Sequence, residues 1–216
     1  MRVPRAIILS DIHLGPEGPA ATFRDDVALA GFLDRLSEEP ATPSTELVLA
    51  GDCFDFLQTP GYDGFSATRA VDRFDAILTA KRTKPVIAAL RRFAGRPGHE
   101  ITLLSGNHDP ELLVDDVRRR FEEAIGRPGT VLHADDEPLW AAEPNKPPIW
   151  GRALSDGKIW VVHGDRWDPM NMINRSEVRS AVQAGRPVQL PKGSHLVFEV
   201  LEKIRPKHPW VDELKP

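Results

Sequence analysis

Residues 101–110 read Ile-Thr-Leu-Leu-Ser-Gly-Asn-His-Asp-Pro, an apolar run that gives way to glycine, amide, imidazole and carboxylate ahead of a proline. A short, continuous apolar run bounded by turn-forming residues predicts a buried strand over Glu100–Ser105. Asp109 then stands at an N-cap position with Pro110 at the first helical position, which predicts a helix over Glu111–Ala124. The same grammar occurs three more times. Ala6–Ser10 (AIILS) precedes Asp11-Ile12-His13, Leu47–Ala50 (LVLA) precedes Gly51-Asp52, and Ile159–Val162 (IWVV) precedes His163-Gly164-Asp165. In an open α/β sheet, residues just past the carboxyl ends of the strands converge on one crevice, so these four strings are expected to meet.

Between the strings the apolar spacing is helical. Phe23, Val27, Ala30, Leu33 and Leu36 predict a helix from about Thr22 to Leu36, broken by the Pro/Thr/Ser stretch Pro40–Thr45. Val71, Phe74 and Leu78 predict another over Ala70–Arg82, and Pro85 opens a further short helix that ends at Gly95. This strand–helix alternation implies a largely parallel sheet. The pattern then changes: Ile149–Leu154 and Lys158–Val162 flank Ser155-Asp156-Gly157 as a hairpin. Glu143–Pro148 and Gly185–Pro191 read as surface loops, His133 as part of a short strand, and Lys192–Ile204 as an amphipathic helix. The expectation is one domain over residues 1–216, with the four strings within 6–170 and a helical segment over 171–216.

Composition narrows the partners. A net charge of −4 and the absence of a basic stripe argue against nucleic acid. The single cysteine, Cys53, rules out an internal disulfide and suits a reducing compartment. The N-terminal MRVPRAIILSDIH has too short an apolar run for a signal peptide, and no stretch reaches the ~18 apolar residues of a membrane span. A cytoplasmic location is expected.

Two carboxylates, two imidazoles and an amide oxygen at one crevice are metal ligands. Two divalent cations about 3.5–4 Å apart can hold the attacking and leaving oxygens of an in-line displacement at phosphorus. Such a pair needs an anionic bridge, which a carboxylate on a rigid strand end supplies. Mixed carboxylate, imidazole and amide donors suit Mn, Fe or Zn better than Ca or Mg, and a bound water of lowered pKa would be the nucleophile.

Ser10-Asp11-Ile12-His13-Leu14-Gly15, Gly51-Asp52-Cys53-Phe54-Asp55, Gly106-Asn107-His108-Asp109 and His163-Gly164-Asp165 resemble, in order, the first four blocks of the calcineurin-like metallophosphoesterase superfamily. Phe54-Asp55 after Gly51-Asp52 looks most like the branch containing UDP-2,3-diacylglucosamine hydrolases. The resemblance implies an α/β fold of four layers, α-β-β-α, and hydrolysis of a phosphoester or pyrophosphate bond, with a nucleotide-sugar-lipid as substrate class. It implies two divalent metals, Mn first, with Fe or Zn as alternatives. Asp11 and His13 would bind one, Asn107 and His163 the other, and Asp52 would bridge them. His108 would sit near the leaving group as proton donor or charge-stabilising contact, with Asp109 orienting its imidazole. Asp165 would contact His163 or hold its own loop.

The superfamily's fifth block, Gly-His-x-His, has no counterpart among the seven histidines. His195 and His208 are the remaining candidates for its role. Each metal would keep three protein ligands, counting Asp52 twice. The expectation is the N-terminal part of a longer metallophosphoesterase, or a chain that ends early, with exposed edge strands and uncovered apolar surface. Two other functions stay open: a phosphodiesterase or nuclease of the same superfamily, and a non-catalytic scaffold that uses the fold for protein interaction.

Smaller expectations complete the list. Cys53 is a small buried side chain, and Trp160 belongs to the core. Arg118-Arg119-Arg120 is a solvated helix face. Trp167 and Met170 shape the pocket. Lys192–Ile204, followed by Arg205 and Lys207, packs on its own domain, covers a substrate pocket or touches a membrane surface.

Overall fold

The computed structural model describes residues 5–17, 21–39, 44–140, 148–208 and 211. Strands β1 (Arg5–Leu9), β2 (Thr45–Ala50), β3 (His99–Leu104) and β4 (Leu132–His133) form one parallel sheet in that order. Helix α1 (Asp26–Glu38) joins β1 to β2, α2 (Ala70–Thr79) and α3 (Thr83–Ala94) lead to β3, and α4 (Asp115–Ile125) precedes β4. A second sheet is the antiparallel hairpin β5 (Arg152–Leu154) and β6 (Ile159–Val161). The α/β class and the parallel alternation are as expected.

Side-chain alternation explains the layering. Leu47 and Leu49 of β2, with Ile101 and Leu103 of β3, point into a core filled from the helices by Leu33, Phe74, Phe93 and Phe121. Val48 and Ala50 point the other way and pack on Val161 and Leu154 of the hairpin. Successive residues of a strand face opposite sides, so a strand covered on both faces reads as an unbroken apolar run. Ile8 stands beside Val48 in register, yet it is 47 % exposed because the hairpin does not reach across β1. Strand β1 lies at the sheet's edge and is only partly buried, which corrects the expectation of a buried strand over Ala6–Ser10.

Several expectations need correction. The helix over Ala70–Arg82 stops at Thr79, where Ala80 turns extended. Thr83 starts α3 with Pro85 in its first turn, the position proline tolerates. Residues 110–124 are not one helix: Pro110–Leu113 is a 3-10 turn, Val114 is extended, and α4 begins at Asp115. Trp160 is not core. It lies on the hairpin face away from Val161, half exposed, edge-on to Trp140. Arg118 is buried, donating from Nε to the Leu112 carbonyl and pairing with Asp136, so only part of the arginine run is a solvated face. Helix α5 (Arg175–Gln183) follows the hairpin. The segment Lys192–Ile204 begins as α6 (Lys192–Leu196), passes through a π turn at Val197–Leu201 and closes with Glu202–Ile204. Its Phe198 is buried against Tyr62, so the segment packs on its own domain. Most of the expected loops over Pro40–Thr45 and Glu143–Pro148 lies outside the described residues.

Phe121 is fully buried and meets Phe54 at 5.7 Å between ring centroids; Phe54 in turn meets Phe74 at 5.0 Å. Truncating one ring leaves a cavity among rigid neighbours. Phe121→Ala should therefore cost about 3–5 kcal/mol in urea unfolding.

Candidate metal centre

The four strings meet. The loops after β1 and β2 continue the parallel pairing of their strands: the amides of Asp11, His13 and Leu14 donate to the carbonyls of Gly51, Asp52 and Cys53 at 3.1, 2.9 and 2.9 Å, and Asp55 donates back to Leu14. The loop after β3 joins them, because the His108 amide donates to Asp52 Oδ1 at 2.8 Å and Phe56 donates to the His108 carbonyl. Asp11, His13, Asp52, Asn107, His108 and His163 all line one cleft of about 640 Å³. Asp52, Asn107 and His163 are buried, at 4, 6 and 7 % exposure.

Backbone strain is concentrated here. Asp11, His13 and Asp52 have φ of 53°, 54° and 50°, the left-handed region that ordinary side chains avoid. Glycine provides the clearance. A Cβ on Gly51, whose φ is +90°, would stand 2.6 Å from His163 Cγ. One on Gly106 would overlap Asp52 Oδ1 and come within 2.8 Å of His163 Nε2. Both glycines are required by the close approach of the ligating side chains.

Side-chain atoms that could hold a metal ion gather in two groups, Asp11, Asp52 and His163 in one, and His13, Asp55 and His108 in the other. Asp11, Asp52 and His163 thus approach one point of the cleft that His13 also lines. His163 Nδ1 faces the Ala50 carbonyl at 3.0 Å, a contact that fixes the proton on Nδ1 in the neutral ring and leaves Nε2 directed at Asp52 Oδ2, 3.4 Å away. Two carboxylates, an imidazole nitrogen with its lone pair free and a neighbouring amide form a donor set suited to a divalent transition metal. His13 keeps Nε2 available too, because Nδ1 lies 3.1 Å from Asp55 Oδ2.

Asp55 is the residue the sequence reading left without a role. Its Oδ1 lies 3.2 Å from His108 Nδ1, so one buried carboxylate faces both imidazoles, whose rings meet edge-on at 4.6 Å. Gln58 Nε2 also donates to it, at 2.6 Å. The signal was present in Gly51-Asp52-Cys53-Phe54-Asp55, a carboxylate three residues past the bridge. The expected orienting residue, Asp109, does something else. Its oxygens accept from the amides of Gly106 (2.6 Å), Cys53 (2.9 Å), Asp52 (3.2 Å) and Phe54 (3.2 Å). Asp109 thus ties the loops together from beneath, while His108 Nδ1 turns to Asp55. Asp165 holds its own loop through Arg175 and the Ile173 amide. His195 pairs with Glu199 at 2.8 Å along its own helix and does not line the cleft.

The electrostatics follow from this crowding. Burial disfavours the imidazolium of His108, but Asp55, with Asp52 and Asp109 behind it, outweighs that and raises its pKa to about 9. His163 is raised to about 9 against the same penalty by Asp52. Burial would lift Asp52, yet His163 and His108 hold it below the usual carboxylate range. Burial and the nearby charge of Asp52 push Asp109 up to about 7.

Residues 4–214 match the sequence model of one protein family, calcineurin-like phosphoesterase. No curated protein and no solved structure matches the chain significantly.

Gly106→Ala should abolish Mn²⁺ uptake measured by calorimetry, because its Cβ takes the place of an Asp52 oxygen. A metal ion and a proton also compete for His163 Nε2, so Mn²⁺ affinity should rise between pH 7 and 9 with net proton release. In the metal-free protein the raised His108 and His163 values have the opposite consequence. Their stabilisation is complete below the unfolded value near ~6.5 and is lost as pH climbs through about 9, so the melting temperature should fall over that window.

Proposed function

The chain belongs to the calcineurin-like phosphoesterase family, and from that premise we propose that it hydrolyses a phosphoester or pyrophosphate bond at a two-metal site. The carrying observation is the convergence of Asp11, Asp52 and His163 on one point, with His13 and Asn107 on the same cleft. Mn is the first choice of metal, with Fe or Zn as alternatives. Bound there, a pair of divalent cations would lower the pKa of a water and neutralise charge on the phosphoryl oxygens. Asp52 would bridge the two ions, and His163 and Asn107 would be further ligands of one of them.

His108 has a separate task. With its pKa near 9 it is an imidazolium at neutral pH, its Nδ1 is turned to the Asp55 carboxylate 3.2 Å away, and its other N–H is left for a substrate oxygen. It donates a proton to the leaving oxygen or compensates the charge that develops there. Asp55 holds the ring in place and keeps it charged.

The substrate reading rests on the opposite wall. Met170, Leu196 and Val197 line the same cleft as the candidate ligands, and among the described residues no lysine or arginine lines it. An apolar wall beside a phosphoryl site favours an amphiphilic phosphoester, consistent with a nucleotide-sugar-lipid pyrophosphate such as the UDP-2,3-diacylglucosamine hydrolase branch takes. Asp168, which lines the cleft beside Met170, disfavours a nucleic-acid backbone. No helix among the described residues is long and apolar enough to cross a membrane; a cytoplasmic enzyme meeting a lipid substrate at the bilayer surface fits this proposal. The rival is a non-catalytic scaffold, favoured by the fact that among the described residues only His13, His108 and His163 reach the cleft.

A Mn²⁺-dependent assay on bis-p-nitrophenyl phosphate decides between them. Turnover that disappears in Asp52→Asn supports the enzyme; a folded wild-type chain without turnover supports the scaffold. His108→Asn should lower kcat by about 10²–10⁴-fold while Mn²⁺ content stays at the wild-type level.

A further inference from the structure

Beneath the cleft, sharing Asp165 with its lining, lies a second buried charge cluster. Arg175, the first residue of α5, is 5 % exposed, and Asp135 and Asp165 are 1 and 4 % exposed. Its two terminal nitrogens reach both oxygens of Asp165, at 3.2 and 3.1 Å. One of them also donates to the Ser105 carbonyl at 2.5 Å, and Nε stands 3.1 Å from Asp135 Oδ1. Asp135 closes the ring by accepting the Ser105 amide at 2.7 Å.

The placement of these partners is informative. Ser105 ends β3 and lies two residues before Asn107. Asp165 lies two residues after His163. Asp135 follows β4 directly, where Ala134 pairs with Leu103. The guanidinium thus joins the loop carrying Asn107 to the loop carrying His163, and no other buried cation among the described residues reaches both. A planar fork with several N–H donors can serve two carboxylates and a carbonyl at once, which a lysine ammonium on a flexible stem does not reproduce.

We propose that Arg175 is a positioning residue for the second cation: it clamps the loops of Asn107 and His163 at the spacing that lets both ligate one ion. The proposal rests on the two-metal reading of the cleft. Asp11 and His13 hang from the β1 loop, which the clamp does not touch, so the first ion is independent of it. Outer contacts of this kind change metal affinity by about 10–100-fold when removed.

The test is calorimetric titration of Mn²⁺ into the metal-free chain, with the exchange coupling of the bound Mn²⁺ pair read by electron paramagnetic resonance. Wild type should take two ions. Arg175→Gln should hold the first within about threefold of wild type, weaken the second by about 10–100-fold and lose the coupled-pair signal. Arg175→Lys should fall between them, and it decides the matter if the glutamine variant does not fold. Asn174→Ala is the control, because Asn174 caps α5 by accepting the Glu177 amide at 3.2 Å without joining the clamp. It should leave both affinities unchanged. Equal weakening of both ions, two undisturbed ions in a folded Arg175 variant, or the same loss in Asn174→Ala would each overturn the proposal. A wild-type chain that takes fewer than two ions would overturn the two-metal reading itself and the clamp with it.

Discussion

The centre depends on one carboxylate that never faces the cleft. Asp109 gathers backbone amides from Gly106 and from Asp52, Cys53 and Phe54, and so fixes the loop after β2 against the loop after β3. Amides that would otherwise be buried without partners are satisfied together, and they offset part of the burial and of the Asp52 charge that push the carboxyl up to about 7. The two loops then have one relative position. Asp52 Oδ1 can accept from the His108 amide only because that position is set.

Fixing the loops so tightly requires concessions elsewhere. Asp11, His13 and Asp52 adopt left-handed backbone, and Gly51 and Gly106 give up their side chains to make room for the His163 ring and the Asp52 carboxylate. Strain of this kind persists where surrounding hydrogen bonds over-determine the backbone. The parallel ladder running from β1 and β2 into their loops, as far as the bridge between Leu14 and Phe54, supplies that determination.

The sheet and the meeting of the four strings were legible because strands covered on both faces leave unbroken apolar runs, and topology alone then brings their ends together. Individual side-chain roles were less legible. Asp109 and Asp55 are both carboxylates near His108, and sequence adjacency favours the wrong one. The choice depends on which way each points, and that is decided by loops paired across the sheet. Trp160 misled for a similar reason: period-two alternation puts it opposite Val161, and only a sheet with its second face covered would have buried it. Arg118 belongs to an apparently solvated run, yet its place one residue after buried Val117 aims it at the Leu112 carbonyl. The clamp built on Arg175 joins residues far apart in sequence, so no local pattern announces it.

Charge balance ties these parts together. Asp11, Asp52, Asp55 and Asp109 crowd into one region where Arg175, beneath the cleft, is already engaged by Asp135 and Asp165. Without bound cations the region compensates by holding protons, which is why His108 and His163 are raised to about 9 and Asp109 to about 7. Divalent ions would take over that compensation at His163 and leave His108, held by Asp55 rather than by a ligating position, with its proton. The same carboxylate excess that would draw metal to one imidazole keeps the other protonated, and so charged, at neutral pH. The difference between them is which oxygen each ring faces.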